Sequence, residues 1–234
     1  MEIIVPAAGQ STRFPNMPPK YLLKDSYDNS MLGNAIDPYH LQGEMWFGIL
    51  KEHNEKYGAE SEIRRLFYVE DQSPNIVIIP ERTKGPADTV YQVCRTMDLV
   101  LDDGPIFIKD CDSFFRHHIM KGNYICTANV SSFRTIDELA AKSFVRTDKH
   151  GIVNDIIEKQ VVSDQFCVGG YKFAKRSEYI EAFEAVAGSI DEVFVSHVIQ
   201  YMIDKGKIFF TQSVEDYVDV GTIDEWNNYL ERFQ

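Results

Sequence analysis

The chain has 234 residues and a mass of 26.9 kDa, which is enough for one domain with a substantial core, and its 44% hydrophobic and 26% charged residues are ordinary globular values. Its formal net charge of −12 argues against a general nucleic-acid binder or a protein of anionic membrane surfaces. Its start does not resemble a signal peptide, and no apolar run approaches the roughly 18 residues of a membrane helix, so we expect a cytoplasmic protein. Its four cysteines lack paired spacing, so we expect them to be free thiols.

Short apolar strands alternate with a helix in the first half of the chain. Strands are predicted at residues 1–8, 45–51, 75–80 and 105–109. A helix is predicted over residues 86–101, because Pro86 suits a first helical turn and apolar residues follow at helical spacing. This alternation is typical of an open, mostly parallel α/β sheet.

The second half has more strands and fewer helices between them. Further strands are predicted at residues 124–130, 143–147, 151–157, 166–173 and 207–211, and helices at 176–187, 191–205 and 222–233. The sequence therefore predicts an α/β fold, a Rossmann-like three-layer sandwich with a mostly parallel mixed sheet and a small antiparallel inserted part. Because no Pro-, Gly- or Ser-rich linker is visible, we expect a single domain over residues 1–234.

A glycine-containing loop follows the first strand and carries basic residues. Small residues let a ligand approach the backbone closely, and their N–H groups can surround an anion. Arg13 and Lys20 add positive charge, and residues 1–24 are net positive in a chain that is strongly acidic. This combination predicts a polyphosphate site.

The loop resembles the signature of nucleotidyltransferases that make sugar nucleotides and related activated metabolites. Their pattern is Ala-Ala-Gly-x-Gly-Thr-Arg, a variable gap and Pro-Lys, with a glycine where this chain has Ser11. The resemblance implies that Arg13 holds the leaving pyrophosphate and that Lys20 contacts the reacting phosphates. It also implies nucleotide binding by Ala7, Ala8, Gly9, Gln10, Ser11 and Thr12.

Two aspartates, Asp110 and Asp112, follow the predicted strand at 105–109. The carboxyl end of a strand in an open parallel sheet faces the ligand crevice, and paired carboxylates there suit Mg²⁺ or Mn²⁺ with substrate phosphates. A plain turn is the structural alternative. The nucleotidyltransferase resemblance assigns the metal to Asp112, with Asp110 beside it. An Asp-x-Asp pair also resembles metal-dependent glycosyltransferases, and dehalogenase-type phosphatases fit less well because Phe114 stands where they have Thr or Val.

A third motif, residues 219–222, stands before the last predicted helix. Thr222 and Glu225 form a predicted capping box, which explains Thr222 but not Asp219. The sequence Asp-Val-Gly-Thr resembles the family's Asp-x-Gly-Thr turn. The resemblance implies that Asp219 is the second metal ligand, together with Asp112.

Two weaker motifs lie between these. The turn at residues 84–89 resembles a family turn that holds the nucleotide base, which implies roles for Gly85, Ala87 and Asp88; a simple helix start is the alternative. Lys159 stands in Glu-Lys-Gln, which resembles the family's Glu-Lys-Pro. The resemblance implies that Lys159 contacts the phosphate of the acceptor.

The family's reaction joins a nucleoside triphosphate (NTP) to a phosphorylated small-molecule acceptor and releases pyrophosphate. The compact size resembles small cytidylyltransferases, including phosphocholine enzymes and a capsule-cluster group that uses phosphoglutamine, so CTP is the favoured nucleotide. A sugar 1-phosphate with UTP or another NTP is the alternative. A glycosyltransferase using a nucleotide sugar and a non-catalytic nucleotide sensor also stay open. Nucleic acid and membrane are not expected partners, and the sequence makes no prediction of oligomeric state.

Overall fold

A computed structural model describes residues 1–39, 41–68, 73–132, 139 and 142–232. The strands within these ranges are β1 (Glu2–Ala7), β2 (Glu44–Leu50), β3 (Asn75–Ile79), β4 (Ile106–Lys109), β5 (Ser113–Arg116), β6 (Tyr124–Asn129), β7 (Ser143–Thr147), β8 (Val153–Glu158), β9 (Gln165–Phe173), β10 (Phe210–Ser213) and β11 (Glu215–Asp219). The α-helices there are α1 (Met31–Ile36), α2 (Lys51–Tyr57), α3 (Ala59–Leu66), α4 (Pro86–Met97), α5 (Arg176–Val186), α6 (Val195–Asp204) and α7 (Ile223–Glu231).

The central sheet has the strand order β10-β6-β9-β4-β1-β2-β3. β9 runs antiparallel to both of its neighbours, β6 and β4, whereas the other adjacent pairs in this order are parallel. The β7–β8 hairpin is antiparallel and attaches to β9. The predicted mostly parallel mixed sheet with a small antiparallel part is therefore confirmed.

Both faces of the sheet are covered, because the apolar residues of its strands point alternately to opposite sides. Ile4 of β1 packs in a buried cluster with residues of α4, α5 and α6. Ile3 and Val5 point the other way and pack in a cluster with residues of α1 and α3. These two clusters make the helix–sheet–helix sandwich that the sequence predicted.

A separate two-stranded sheet brings the motif at residues 219–222 close to the aspartates at residues 110 and 112. β5 and β11 pair antiparallel, with Ser113 opposite Asp219 and Phe114 opposite Val218. Just beyond this ladder, the amide of Val220 donates to the carbonyl of Asp112 at 3.1 Å. The pairing therefore places the turn before α7 beside the end of β4.

Several predicted boundaries shift. Helix α4 ends at Met97 instead of residue 101, and α6 begins at Val195 instead of residue 191, because Val193 pairs with the backbone near Lys84. β10 begins at Phe210, three residues later than predicted. The sequence analysis missed α1, α2, β5 and β11, which are only four to seven residues long. It also missed α3, although its buried residues Ala59 and Ile63 stand four apart, at helical spacing. Left-handed Gly58 separates α2 from α3.

The structure also bears on two simpler expectations. All four cysteines are free thiols, as predicted, and the structure shows that each is buried. Within the described ranges, every helix is too short or too polar to cross a membrane.

Candidate active site

A cleft of about 580 Å³ lies at the carboxyl ends of β1 and β4. This is the position at which open α/β sheets bind ligands. Most of the site residues that were predicted from the sequence line it, namely Ala7, Ala8, Gly9, Gln10, Ser11, Thr12, Arg13, Lys20, Gly85, Asp110, Asp112 and Asp219. The cleft thus brings together three motifs that are distant in the sequence.

The loop after β1 is shaped by Ser11, which has a left-handed backbone with φ of 53°. Glycine adopts this conformation most easily, which accounts for the glycine in the family signature. In this chain the Ser11 side chain offers a compensating contact, because its Oγ accepts a hydrogen bond from the amide of Lys20 at 2.9 Å. The loop and the Lys20 backbone are thereby held together.

Asp112 lies between two cationic side chains. The Lys20 ammonium contacts Oδ2 of Asp112, and Nη2 of Arg13 lies 3.8 Å from the same oxygen. Burial raises the pKa of Asp112, but the charge and hydrogen bond of Lys20 outweigh it, and the net pKa is well below the usual range. Asp112 is therefore an ionised carboxylate at neutral pH.

Asp219 has a similar environment. Its Oδ2 contacts the Lys142 ammonium and accepts from the Tyr217 hydroxyl at 3.1 Å, and its Oδ1 accepts from the Gly221 amide at 3.1 Å. Its side chain is only 9% exposed. These contacts fix the direction in which the carboxylate points.

The two carboxylates converge on the backbone of Gly221. A β-carbon added there would lie 3.1 Å from Oδ2 of Asp112, 3.2 Å from Oδ1 of Asp219 and 3.5 Å from Nη1 of Arg13. Any larger residue would fill the space that these charged groups share. A glycine at this position keeps the space open to a ligand.

The oxygen donors of Asp112 and Asp219 fit a hard divalent cation. Mg²⁺ is commonly held by one or two carboxylates, with waters and substrate phosphates as its other ligands. In the described ranges, no group of three or more His, Cys, Asp or Glu side chains is arranged to hold a metal. Because Asp112 and Asp219 converge at Gly221, they are residues that could hold such an ion, and direct ligation by Asp110 stays a prediction.

Asp110 lies against left-handed Gly169, with its Oδ2 only 2.6 Å from where a β-carbon of that residue would be. Burial, and then the charge of Asp112, raise its pKa from 3.8 to about 7, although the Lys109 ammonium acts in the opposite direction. Because the folded state holds this proton more tightly, the contribution of Asp110 to stability is present below pH 4 and is lost as pH rises from about 4 to about 7.

The Asp110→Asn variant is expected to escape this loss. Its advantage in unfolding free energy should be small at pH 4 and grow to the order of 4 kcal/mol at pH 8, since each unit of the shift in the pKa of Asp110 contributes about 1.4 kcal/mol. Urea denaturation with EDTA present measures it. Asp103→Asn is the control with opposite sign, since hydrogen bonds from Ser177 outweigh desolvation and lower the pKa of Asp103. An advantage of Asp110→Asn that does not change with pH would contradict the prediction.

Three predicted residues lie outside the cleft lining. Ala87 is buried beneath it, where its carbonyl accepts from the Tyr179 hydroxyl, and the Asp88 carboxylate accepts from the Lys84 amide at 2.8 Å. Lys159 is exposed, and its Nζ lies 4.7 Å from the ring centroid of Phe194, which lines the cleft. Their proposed roles in binding stay predictions.

The structure adds residues that the sequence analysis missed. Lys142, Ser143 and Tyr217 line the cleft. Tyr217 could have been found, because it stands two residues before Asp219 on a strand and so faces the same side. Lys142 gave no local signal, since its position depends on how β7 pairs with distant strands.

Comparisons with known proteins show which solved structures share this fold. Neither a protein-family model nor a curated protein matches the chain. The chain is similar to the crystal structure of the nucleoside-diphosphate-sugar pyrophosphorylase from Vibrio cholerae RC9, with a TM-score of 0.83 and 18% identity over 98% of this chain and 99% of that one.

Two further solved structures cover nearly the whole chain. The inositol-1-phosphate CTP transferase from T. maritima has a TM-score of 0.77 and 13% identity over 99% of this chain and 93% of that one. The UDP-glucose pyrophosphorylase complexed with UDP-glucose has a TM-score of 0.73 and 14% identity, over 99% and 97%. At these identities the comparisons show a shared fold, and they confirm the Rossmann-like α/β class that the sequence predicts.

Proposed function

We propose that this protein is a nucleotidyltransferase that transfers NMP from an NTP to a phosphorylated small molecule and releases pyrophosphate. The observation that carries the proposal is the convergence of Arg13 and Lys20 on Asp112, with Asp219 beside it, in one cleft behind a glycine-containing loop. Cationic groups beside carboxylates in this arrangement suit the binding of a triphosphate and a divalent cation.

The reaction needs positioning and charge neutralisation more than acid–base chemistry. An oxygen of the acceptor's phosphate forms a bond to the α-phosphorus, and the bond to the bridging oxygen breaks in line, so that pyrophosphate leaves. That oxygen is already anionic at neutral pH, and no general base is required. Arg13 and Lys20 neutralise the departing pyrophosphate. When bound to Asp112 and Asp219, Mg²⁺ or Mn²⁺ would supply further neutralisation of phosphate charge.

We take CTP as the nucleotide and a phosphorylated acceptor for capsule or surface polysaccharide biosynthesis as its partner, with phosphocholine and phosphoglutamine as first choices. The Asp-x-Asp of residues 110–112 resembles that of the phosphocholine cytidylyltransferases, which supports CTP and phosphocholine. The similarity in fold to an inositol-1-phosphate CTP transferase agrees with it. A UDP-glucose pyrophosphorylase is similar to a comparable degree, so a sugar 1-phosphate with UTP is the runner-up.

Pyrophosphate release tests the proposal directly. The protein is incubated with Mg²⁺, with CTP, UTP, GTP, ATP or dTTP in turn, and with a panel of sugar 1-phosphates, phosphocholine and phosphoglutamine. Release that requires one NTP and one acceptor, and that stops with EDTA, is the expected result. Cleavage of a nucleotide sugar without pyrophosphate would replace the proposal with a glycosyltransferase. NTP binding without turnover across a wider acceptor panel would indicate a nucleotide sensor.

A further inference from the structure

Two lysines from different parts of the chain each contact one of the two converging carboxylates. Lys20 contacts Asp112, and Lys142 contacts Asp219. The motif resemblance accounts for Lys20 and gives no role to Lys142. The side chain of Lys142 is 19% exposed, and it lines the cleft, so a bound ligand can reach it.

Resting on the proposed function, we propose that Lys142 is a second phosphate-binding lysine. When a divalent cation binds Asp219, the Lys142 ammonium moves from Asp219 to the phosphate of the acceptor. Lys142 would therefore do what the sequence assigned to Lys159. The two residues are neighbours, because the Lys159 amide donates to the Lys142 carbonyl at 2.9 Å, but their side chains part. The Lys142 ammonium enters the cleft, whereas that of Lys159 lies over the ring of Phe194.

The order of strands places Lys142 on the acceptor's side of the reaction. Lys142 immediately precedes β7, which pairs with β9, and β4 lies between β9 and β1 in the sheet. The aspartates that follow β4 therefore separate Lys142 from the loop after β1, where Arg13 binds pyrophosphate in the proposed reaction. In-line attack requires the acceptor's phosphate to approach from the side opposite the leaving group. With Arg13 on the leaving group, the Lys142 ammonium is the cation on the other side of these aspartates and would meet the acceptor's phosphate.

Electrostatics explains why Lys142 would exchange partners. A cation on Asp219 stands next to the Lys142 ammonium, and the two like charges repel at short range. The flexible four-carbon stem of lysine lets its ammonium move to a nearby anion. Conversely, the Lys142 ammonium opposes metal binding at Asp219 until a phosphate is present to which the ammonium can move. Metal binding and acceptor binding are then coupled through this side chain.

Titration with Mn²⁺ alone, without nucleotide, tests this coupling. The Lys142→Met variant is expected to bind Mn²⁺ at least about tenfold more tightly than the wild type, because Asp219 loses its competing cation. Lys149→Met is the matched control, since Lys149 is an exposed residue of the turn between β7 and β8. It should bind Mn²⁺ as the wild type does.

Equal Mn²⁺ affinity in Lys142→Met and the wild type overturns the proposal for Lys142. If that shared affinity is measurable, and Asp219→Asn abolishes it, the metal site of the proposed function survives. Absence of Mn²⁺ binding in every protein, Lys142→Met included, also overturns the proposal for Lys142. The titration is then repeated with CTP present, because its phosphates complete the ligands of the metal. Binding that Asp219→Asn abolishes keeps the metal site of the proposed function, and absence of binding there contradicts it. The two failures are therefore distinguishable.

Steady-state kinetics adds a measurement that a purely structural role would not move. Lys142→Met should raise KM for the acceptor about tenfold or more while KM for the NTP changes less than about threefold. Lys142→Arg should restore part of the acceptor affinity, because it keeps the charge. Equal increases in both KM values, or no rescue by arginine, would overturn the assignment. Thermal denaturation of Lys142→Met and Lys142→Arg checks that both variants are folded.

Discussion

Replacing Asp112 with asparagine is expected to lower the rate of nucleotidyl transfer by at least about 100-fold while the protein stays folded. The substitution keeps the size of the side chain and removes its charge. It leaves Lys20 and Arg13 without the carboxylate that orients them, and it removes one of the two oxygen donors that converge at Gly221. The rate of pyrophosphate release under saturating substrates measures the effect.

Asp216→Asn is a matched control for this prediction. Asp216 lies in the same two-stranded sheet as the Asp219 turn, but it is exposed and pairs with Arg116 at the surface. Its backbone is left-handed, with φ of 54°, a conformation that asparagine tolerates. Asp216→Asn should therefore retain nearly the wild-type rate. A folded Asp112→Asn variant within threefold of the wild type would remove Asp112 from the reaction.

Lys20 and Asp112 should also behave as one unit. Because each holds the other in place, the Lys20→Met/Asp112→Asn double variant should lose much less activity than the product of the two single losses. This double-mutant cycle distinguishes two residues whose contact contributes to turnover from two residues that act independently. Fully multiplicative losses would indicate that the contact between them has no role in turnover.

The sequence predicted the strands of the central sheet well, because their signals are local. β1 and β3 are short, apolar or β-branched runs that end at turn residues, and such runs identify buried strands without knowledge of their partners. The loop after β1 was equally visible, since Gly9, Arg13 and Lys20 stand close together in the chain.

The arrangement of the site was less predictable, because it depends on contacts between distant residues. β5 and β11 are four and five residues long and are separated by about a hundred residues, so neither shows that it pairs with the other. That pairing is what brings Asp219 to Asp112. Lys142 enters the site in the same way, through a hairpin that attaches to β9. Resemblance to a known family could join the two aspartates in advance, whereas Lys142 required the three-dimensional structure.

The end of helix α4 shows how a buried charge can fix a boundary that helical periodicity misses. Arg176 is 1% exposed, and its Nε donates to Oδ1 of Asp98 at 2.7 Å. Its Nη2 donates to the carbonyls of Leu101 and Asp102, each at 3.0 Å. These contacts hold the chain after α4 in a turn, although apolar residues continue the helical pattern to Leu101.

Replacing Arg176 with methionine is therefore expected to lower the free energy of unfolding by about 3–5 kcal/mol. Methionine fills much of the volume but leaves two carbonyls and the Asp98 carboxylate without their donor. Asp98→Asn should cost only about 1 kcal/mol, because the Asp98 side chain is 40% exposed and water can replace part of its contact. Urea denaturation at neutral pH measures both.

Comparing Arg176→Met with Asp98→Asn shows which contacts of Arg176 contribute most to stability. If Arg176 contributes mainly through its ion pair with Asp98, the two variants should lose equal stability. If it contributes mainly by satisfying the carbonyls of Leu101 and Asp102, Arg176→Met should lose several times more, as expected here. Ser177→Ala is the neighbouring control, since its hydroxyl bonds to Asp103 at the exposed surface, and its loss should stay below about 1 kcal/mol. A loss for Arg176→Met as small as that of Ser177→Ala would show that the turn after α4 is held by its backbone alone.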